Sequence, residues 1–521
     1  MAQFDHLIVG SGINGLVCAA LLAKAGKRVC VLERNPGPGG CILTGEITAP
    51  GFRHDLLSSW YPLFVTSPAF QSLGEDLARH GVEFAYTDTP TAGLTGSGEA
   101  FVLHRSRERV CNDLGPDAAA QYSAAMAEIE GNAELVFALL SQQLQRWRFA
   151  VLLLKCARRM GLRGLRQFAG DALGSVRHWL AKAGDNRAYQ ACVAPWVLHV
   201  GLGPDSPSSA LMAKVVLFTL EAVGLPVVRG GSDRLVKGFQ ALIEEHGGHI
   251  QCNALVEGIA VRGGRARGVH LADGSYIEAR NVICSVTPQQ LYGHLLPPEV
   301  VPEALARQAA DYRFGRADMQ IHIALSAPAQ WRQRELDRVA MVHLCDGTDA
   351  LARAVTEADN GLLPARATIV VGQPCAVDPS RAPAGQWILW IQLQELPARV
   401  LGDAAREIDI PDDGRWNEAL KQAYAGRILA RLREHIVNLD RDMLAHAVLS
   451  PADLQQLNCN LVGGDPYCGD CALDQNLLFR PLSGTRNHDT CVDNVYHIGA
   501  ATHPGPGLGG GSGYLVARQL L

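Results

Sequence analysis

Apolar positions recur with two different periods along the chain, and the alternation between them outlines its elements. Residues 5–9 (DHLIV) and 28–33 (RVCVLE) are short apolar runs, and Leu16 to Ala25 between them has helical spacing. A strand, a glycine turn over Gly10 to Gly15, a helix and a second strand make a βαβ unit. Residues 70–225 predict a mainly helical region, clearest over Ala118–Leu144 and Trp147–Leu180. Residues 226–290 change character. Glycine pairs there punctuate a helix and then a β-meander that returns to a buried strand at Val282–Val286. Alternating or apolar runs within 317–400 (MQIHIALS, VAMVHLC, ATIVVGQ, WILWIQLQ) predict a second, mostly antiparallel sheet. Residues 415–438 predict one amphipathic helix, and the tail returns to strand (VYHIGA), glycine-rich loop and helix (GYLVARQLL).

With 521 residues, this pattern predicts two domains with the chain crossing between them more than once. The mixed charge, −5 net, excludes nucleic acid as an expected partner. The 14 cysteines lack the density of a disulfide framework and point to a reducing, cytoplasmic setting. Leu7 to Gly26 is mostly apolar but has no basic segment before it, and glycines interrupt it, so a targeting peptide is not expected.

Three glycine-rich segments carry the chemistry. Gly10-x-Gly12-x-x-Gly15 follows a strand and opens a helix. The first glycine permits the tight turn, the second admits a pyrophosphate to the backbone N–H groups at the helix start, and the third permits close helix–strand packing. Glu33 follows Gly15 by 18 residues, where a carboxylate meets ribose hydroxyls. Arg34 and the Gly39-Gly40 pair then suit a loop passing near a cofactor, although for Arg34 a solvated charge fits as well. The third segment, Gly499 to Gly513, leaves backbone amides bare before a short helix.

These blocks resemble phytoene desaturases and their phytoene-dehydrogenase-related kin in the flavin amine oxidase superfamily, a group that includes the pyridine nucleotide-disulphide oxidoreductase domain proteins. The similar segments are GSGINGLVCAALLAKAGKRVCVLERNPGPGG, PVVRGGSDRLVKGFQALIEEHGG with the following meander, and GAATHPGPGLGGGSG. The resemblance implies an α/β fold: a Rossmann-type, glutathione reductase-like FAD domain (1–75, 226–300 and 480–521) interleaved with an α+β substrate domain (76–225 and 301–479). It implies FAD held at Gly10, Gly12, Ile13, Asn14 and Gly15, the adenosine ribose at Glu33, and adenine at the Val256 backbone. Gly39, Gly40, Gly499, Thr502, Pro504, Gly509 and Gly510 would lie near the rest of the cofactor. One departure is Ala500-Ala501, where many such flavoproteins carry an acid, so backbone must make that contact here.

The expected activity is dehydrogenation of an apolar, isoprenoid or lipid-like substrate by hydride transfer to flavin N5. An amine or alcohol oxidase and a non-catalytic FAD-bearing interaction protein are the alternatives. With one dinucleotide fingerprint only, electrons are expected to pass to oxygen, a quinone or a similar acceptor. His54 and His503 are the candidate proton acceptors, while Trp196 and His199 read as core. Cys468 and Cys471 form the one CxxC, in a loop without further metal ligands nearby. Finally, ten basic residues between Arg146 and Arg187 (146, 148, 155, 158, 159, 163, 166, 177, 182 and 187) alternate with apolar ones, and residues 146–187 are a candidate for peripheral membrane contact.

Overall fold

The computed structural model describes residues 3–521, apart from the side chain of Arg148. Two sheets of seven strands each organise the chain. In the first, Phe4–Val9 lies between Val29–Leu32 and Tyr276–Ser285, all parallel. His249–Gln251 and Val495–Ile498 extend the parallel set on either side. Parallel strands covered on both faces are apolar almost throughout, and Leu7, Ile8, Val29, Val31, Val282 and Ile283 are wholly buried. Tyr276–Ser285 begins in the antiparallel meander with Val256–Arg262 and Arg265–Leu271, then joins the parallel set. The five parallel strands therefore end on one edge, and four of them deliver Gly10, Glu33, Val286 and Gly499 to it. Ligands of open α/β sheets bind at that carboxyl edge.

The helix Ile13–Lys24 returns from the first strand to the second, and the tail helix Gly511–Leu520 packs on it. Gly513 permits this approach. A Cβ there would overlap the Asn14 carbonyl, and its N–H donates to Asn14 Oδ1 at 3.1 Å. Side chains packed on this sheet reach past residues 75 and 300, to Leu77 and Val82 and to Leu305, Ala309 and Tyr312.

The second sheet runs in the order Met443–Leu449, Ala317–Leu325, Trp387–Leu396, Ile369–Gly372, Met341–Leu344, Thr91–Leu94, Ala100–Leu103. Its last two strands lie inside the mainly helical stretch 70–225. They are short, and Gly93 hides the apolar pattern of the first. The glycine is needed because the helix Arg187–Val193 lies directly on that strand, and a Cβ would overlap the backbone of Ala188 and Cys192. The long helical runs are also more broken than their periodicity suggests. Ala118–Leu144 is the two helices Pro116–Gly131 and Ala133–Ser141. Trp147–Leu180 is Trp147–Ala172, interrupted at Gly161 (φ 70°), followed by Val176–Leu180. The helix expected over 415–438 spans Glu418–Arg433, capped by Asn417 Oδ1, which accepts from the Leu420 N–H at 2.9 Å.

Candidate active site

At the carboxyl edge of the first sheet, the chain turns at Gly10, whose φ of +95° suits glycine. Gly15 lets the helix settle on this turn, since a Cβ there would overlap the Gly10 carbonyl oxygen. Gly12 differs from both: a Cβ would meet nothing within 4 Å, because the position opens on a cavity. The helix N-terminus behind it offers backbone donors without intrahelical partners.

Glu33 ties this edge together. Its Oε2 accepts from Ser11 N at 3.1 Å and from the Ser11 hydroxyl, and its Oε1 accepts from Asn35 N at 2.9 Å. Ser11 Oγ accepts in turn from Gly39 N at 3.0 Å. Gly40 lies so close to the fingerprint that a Cβ would come within 2.8 Å of Gly12 Cα. The Gly-Gly pair therefore seats its loop on the glycine turn.

One cavity of about 1280 Å³ begins here and runs between the two sheets. Gly10, Gly12, Ile13, Asn14, Glu33, Arg34, Gly39, Gly40, Val256, Gly499, Pro504 and Gly509 all line it. Gly15, Thr502 and Gly510 lie behind the wall. Thr502 Oγ1 donates to Gly499 O at 3.0 Å and meets Ser512 Oγ at 2.7 Å, which fixes the tail loop. Gly510, at φ +67°, starts the tail helix against Val17. Asn458 and Asn460 also line the cavity, and Asn460 Nδ2 donates to Ser285 O at 3.0 Å. No sequence periodicity or motif marks those asparagines, because a loop after the helix Pro451–Leu457 brings them in from far along the chain.

Neither histidine expected to accept a proton reaches this wall. His54 is fully buried, its Nε2 2.7 Å from Thr48 Oγ1 and its ring edge-on to His322 at 5.2 Å. His503 is held by its backbone, with N donating to Asn487 Oδ1 at 2.9 Å. Burial lowers both imidazoles, His54 to about 2 and His503 to about 4. A glycine-rich loop reveals its ligand from sequence, but not which way a neighbouring ring points. Instead Trp196 and His199, which read as core, line the cavity. His199 Nε2 is 3.1 Å from His343 Nε2, its ring packs on Trp196 at 4.7 Å, and burial lowers it to about 3.

Asp55, next to His54, has a structural part. Arg381 is fully buried and holds Asp55 at 2.8 Å and Asp378 at 3.0 Å, and it donates to Val228 O at 2.8 Å. Asp55 also accepts from Ser232 N at 2.9 Å, so the cluster ties the segment after the Gly-Gly loop to the start of the helix Asp233–Glu245 and to residues 378–381. Cys468 and Cys471 are free and buried, and burial raises both thiols, Cys471 to about 11. That is the reverse of a reactive thiolate. Among the described residues no cluster of potential ligands could hold a metal ion.

Beyond Pro504 the wall becomes apolar, with Leu63, Phe137, Leu140, Met212, Val216 and Met341. The exposed wall residues Leu63, Phe137 and Gly507 mark an opening between the tail loop and the helix Ala133–Ser141.

A parallel sheet with a glycine turn, an acid ending its second strand and a glycine-rich tail returning to the same edge defines an FAD-dependent oxidoreductase. The residues fit that cofactor: at Gly12 a side chain would project into the cavity, so bare backbone at the helix start faces it, and the Glu33 carboxylate lines the same cavity at the end of the second strand. The chain belongs to the flavin containing amine oxidoreductase family, whose model matches residues 13–425. It is 26% identical over 562 aligned positions to pyridine nucleotide-disulfide oxidoreductase domain-containing protein 2 of Mus musculus, covering 100% of this chain and 93% of that one. It is 30% identical over 330 positions to a lycopene-forming phytoene desaturase of Paracoccus, covering 62% and 60%. The cyclohexylamine oxidase of Brevibacterium oxydans shares the fold over 99% of both chains, with a TM-score of 0.59 and 15% identity.

Proposed function

We propose that the chain dehydrogenates a largely apolar, lipid-like or isoprenoid substrate. The observation that carries this reading is the single cavity, which joins the Gly12 cradle to a chamber walled by Phe137, Leu140, Met212, Val216 and Met341. Its volume exceeds the usual range for one small ligand, so it has room for a cofactor and a substrate together. FAD, when bound, supplies a hydride acceptor at N5.

The protein's own part is binding, orientation and exclusion of water. In this reading Gly10, Gly12, Ile13 and Asn14 hold the pyrophosphate, Glu33 the ribose and Val256 the adenine, while Gly40, Gly499 and Pro504 to Gly509 border the flavin. The apolar chamber draws substrate in at about 0.8 kcal/mol per buried CH₂. His199, on the chamber wall beside Trp196, is placed to relay to solvent the proton that accompanies hydride loss; burial disfavours its charged form, so it does not retain that proton. Oxygen or a quinone would reoxidise the flavin. A division into a cofactor domain of 1–75, 226–300 and 480–521 and a substrate domain of the remainder follows the two sheets.

The second reading is an amine or alcohol oxidase, favoured by Trp60, Trp196 and Trp390 on the chamber wall. Product analysis after aerobic turnover separates the two. A desaturase yields a product with an added C=C bond, whereas an oxidase yields a carbonyl. Carbonyl products alone, across hydrocarbon, alcohol and amine substrates, would remove the first reading.

A further inference from the structure

Polar and apolar residues alternate along Ala317–Leu325 and Trp387–Leu396, as in strands with one face in water. Neither has a face in water, because every residue of both strands is buried. One face, with Met319, Ile321, Leu389 and Ile391, joins the apolar core. The other carries Asp318 and Gln320 beside Trp390, Gln392 and Gln394, with Gln320 directly opposite Gln392. All five line the chamber, as do Trp196 and Tyr467.

Internal bonds orient this cluster. Gln392 Nε2 donates to Asp318 Oδ2 at 2.5 Å. Gln394 Nε2 donates to Tyr467 Oη at 2.9 Å, and the tyrosine hydroxyl donates to Leu198 O at 2.5 Å. Six buried atoms of the chamber wall here remain without a hydrogen-bond partner among the described residues: Asp318 Oδ1, Gln320 Oε1, Gln394 Oε1, Trp60 Nε1, Trp196 Nε1 and Trp390 Nε1. Orphaned polar atoms are costly, and a wall serving hydrocarbon alone would be more stable with apolar side chains of similar shape. Their convergence on one chamber calls for a ligand group that satisfies them. Three are oxygens and three are indole N–H groups. Asp318 is the one acid at this end of the chamber, burial raises its carboxyl well above the usual carboxylate range, and among the described residues no lysine or arginine lines this end. With no cation to neutralise it, an anionic end group is disfavoured, and the set fits a hydroxyl or amino group that donates to the oxygens.

We infer that this sheet face is a recognition site for a hydrogen-bond-donating end group, an alcohol or an amine, carried by the otherwise apolar substrate. The inference rests on the cavity holding FAD and substrate together. The O–H or N–H groups donate to Asp318 Oδ1, Gln320 Oε1 and Gln394 Oε1, and an alcohol oxygen also accepts from a tryptophan Nε1. Anchoring one end fixes how far the chain extends along the chamber, and so selects which bond is oxidised.

The test titrates the FAD-loaded protein with octan-1-ol, octylamine, octanoate and octane, following perturbation of the visible flavin spectrum. Octanol or octylamine should bind at least about tenfold more tightly than octane, with octanoate weakest. A Gln320→Leu, Gln394→Leu double variant with normal FAD content should lose that preference. Should the pair unfold, Gln394→Met alone is read in its place and should reduce the preference. The tighter of octanol and octylamine on the unsubstituted protein assigns the alcohol or the amine, and Asp318→Asn should weaken octylamine more than octanol. Octane binding as tightly as octanol and octylamine, octanoate binding tightest, no probe binding, or a preference untouched by the glutamine variants would each overturn the inference. Protein isolated without FAD would instead undo the reading beneath it, before any probe is added.

Discussion

Gly12 and Gly15 share a motif yet answer to different physics, and substitution should separate them. Gly12→Val projects into open cavity, so the protein should fold, melt at the temperature of the FAD-free parent and bind no FAD. Gly15→Val overlaps the Gly10 backbone and should fail to fold. Absorbance of the purified variants checks both, and a Gly12→Val protein with full FAD would refute the placement. Arg381→Ala strands Asp55 and Asp378 without their buried partner. It should cost about 3–5 kcal/mol, read as a lower urea midpoint. His199→Gln should slow flavin reduction about 100-fold while FAD content holds. An unchanged rate would leave His199 as wall alone. The sequence makes Gly10, Gly12 and Glu33 legible because each has a fixed offset from a strand end. It hides His199 and Asp318, whose meaning depends on a cavity formed by distant segments, and it suggests His54 and His503 by loop position alone.

Among the elements, the βαβ start, the meander and the tail are readable because strand, turn and helix follow one another within a few residues. Thr91–Leu94 is not, since its glycine serves a helix that crosses it. The helix Trp147–Ala172 is the element whose outer face most needs a partner. Phe149 and Phe168 pack inward, whereas Val151, Leu154 and Leu162 are exposed. Lys155, Arg146 and Arg177 have acidic partners, but among the described residues Arg158, Arg163 and Arg166 have no ion-pair partner. The Arg148 side chain lies outside the described part. The helix covers Ala133–Ser141 and Ser209–Val223, which wall the chamber. We propose that this face rests on an anionic membrane, each basic residue contributing about 1 kcal/mol. Co-sedimentation with anionic liposomes should fall when Arg158, Arg159, Arg163 and Arg166 become Glu. Wild-type protein that ignores such liposomes at low salt would contradict the proposal. Among the described residues no helix is long and apolar enough to cross a membrane.

For the whole molecule, burial of neutral histidines sets the response to acid. His6, His322, His497 and His503 are lowered to about 4, and His199 and His488 to about 3. Unfolded histidine titrates near 6.5. Between those values the unfolded chain binds more protons, so stability falls as pH drops, by about 1.4 kcal/mol per pH unit for each such histidine. Glu395, raised to about 7 by burial, works in the opposite sense but is outnumbered. Thermal unfolding should therefore shift down steeply from pH 6.5 toward pH 4. A flat profile would mean that these rings are charged in the fold.

If one cavity brings FAD and an apolar substrate together for oxidation, substrate should reduce the flavin in the absence of oxygen. Anaerobic mixing of the purified protein with a panel of long-chain alkenes, terpenoids, alcohols and amines, following the visible flavin band, measures this. The protein should be yellow, and its band should bleach with apolar, chain-like members of the panel and return on admitting oxygen or a quinone. A protein that carries FAD yet keeps its full band with every member would contradict this.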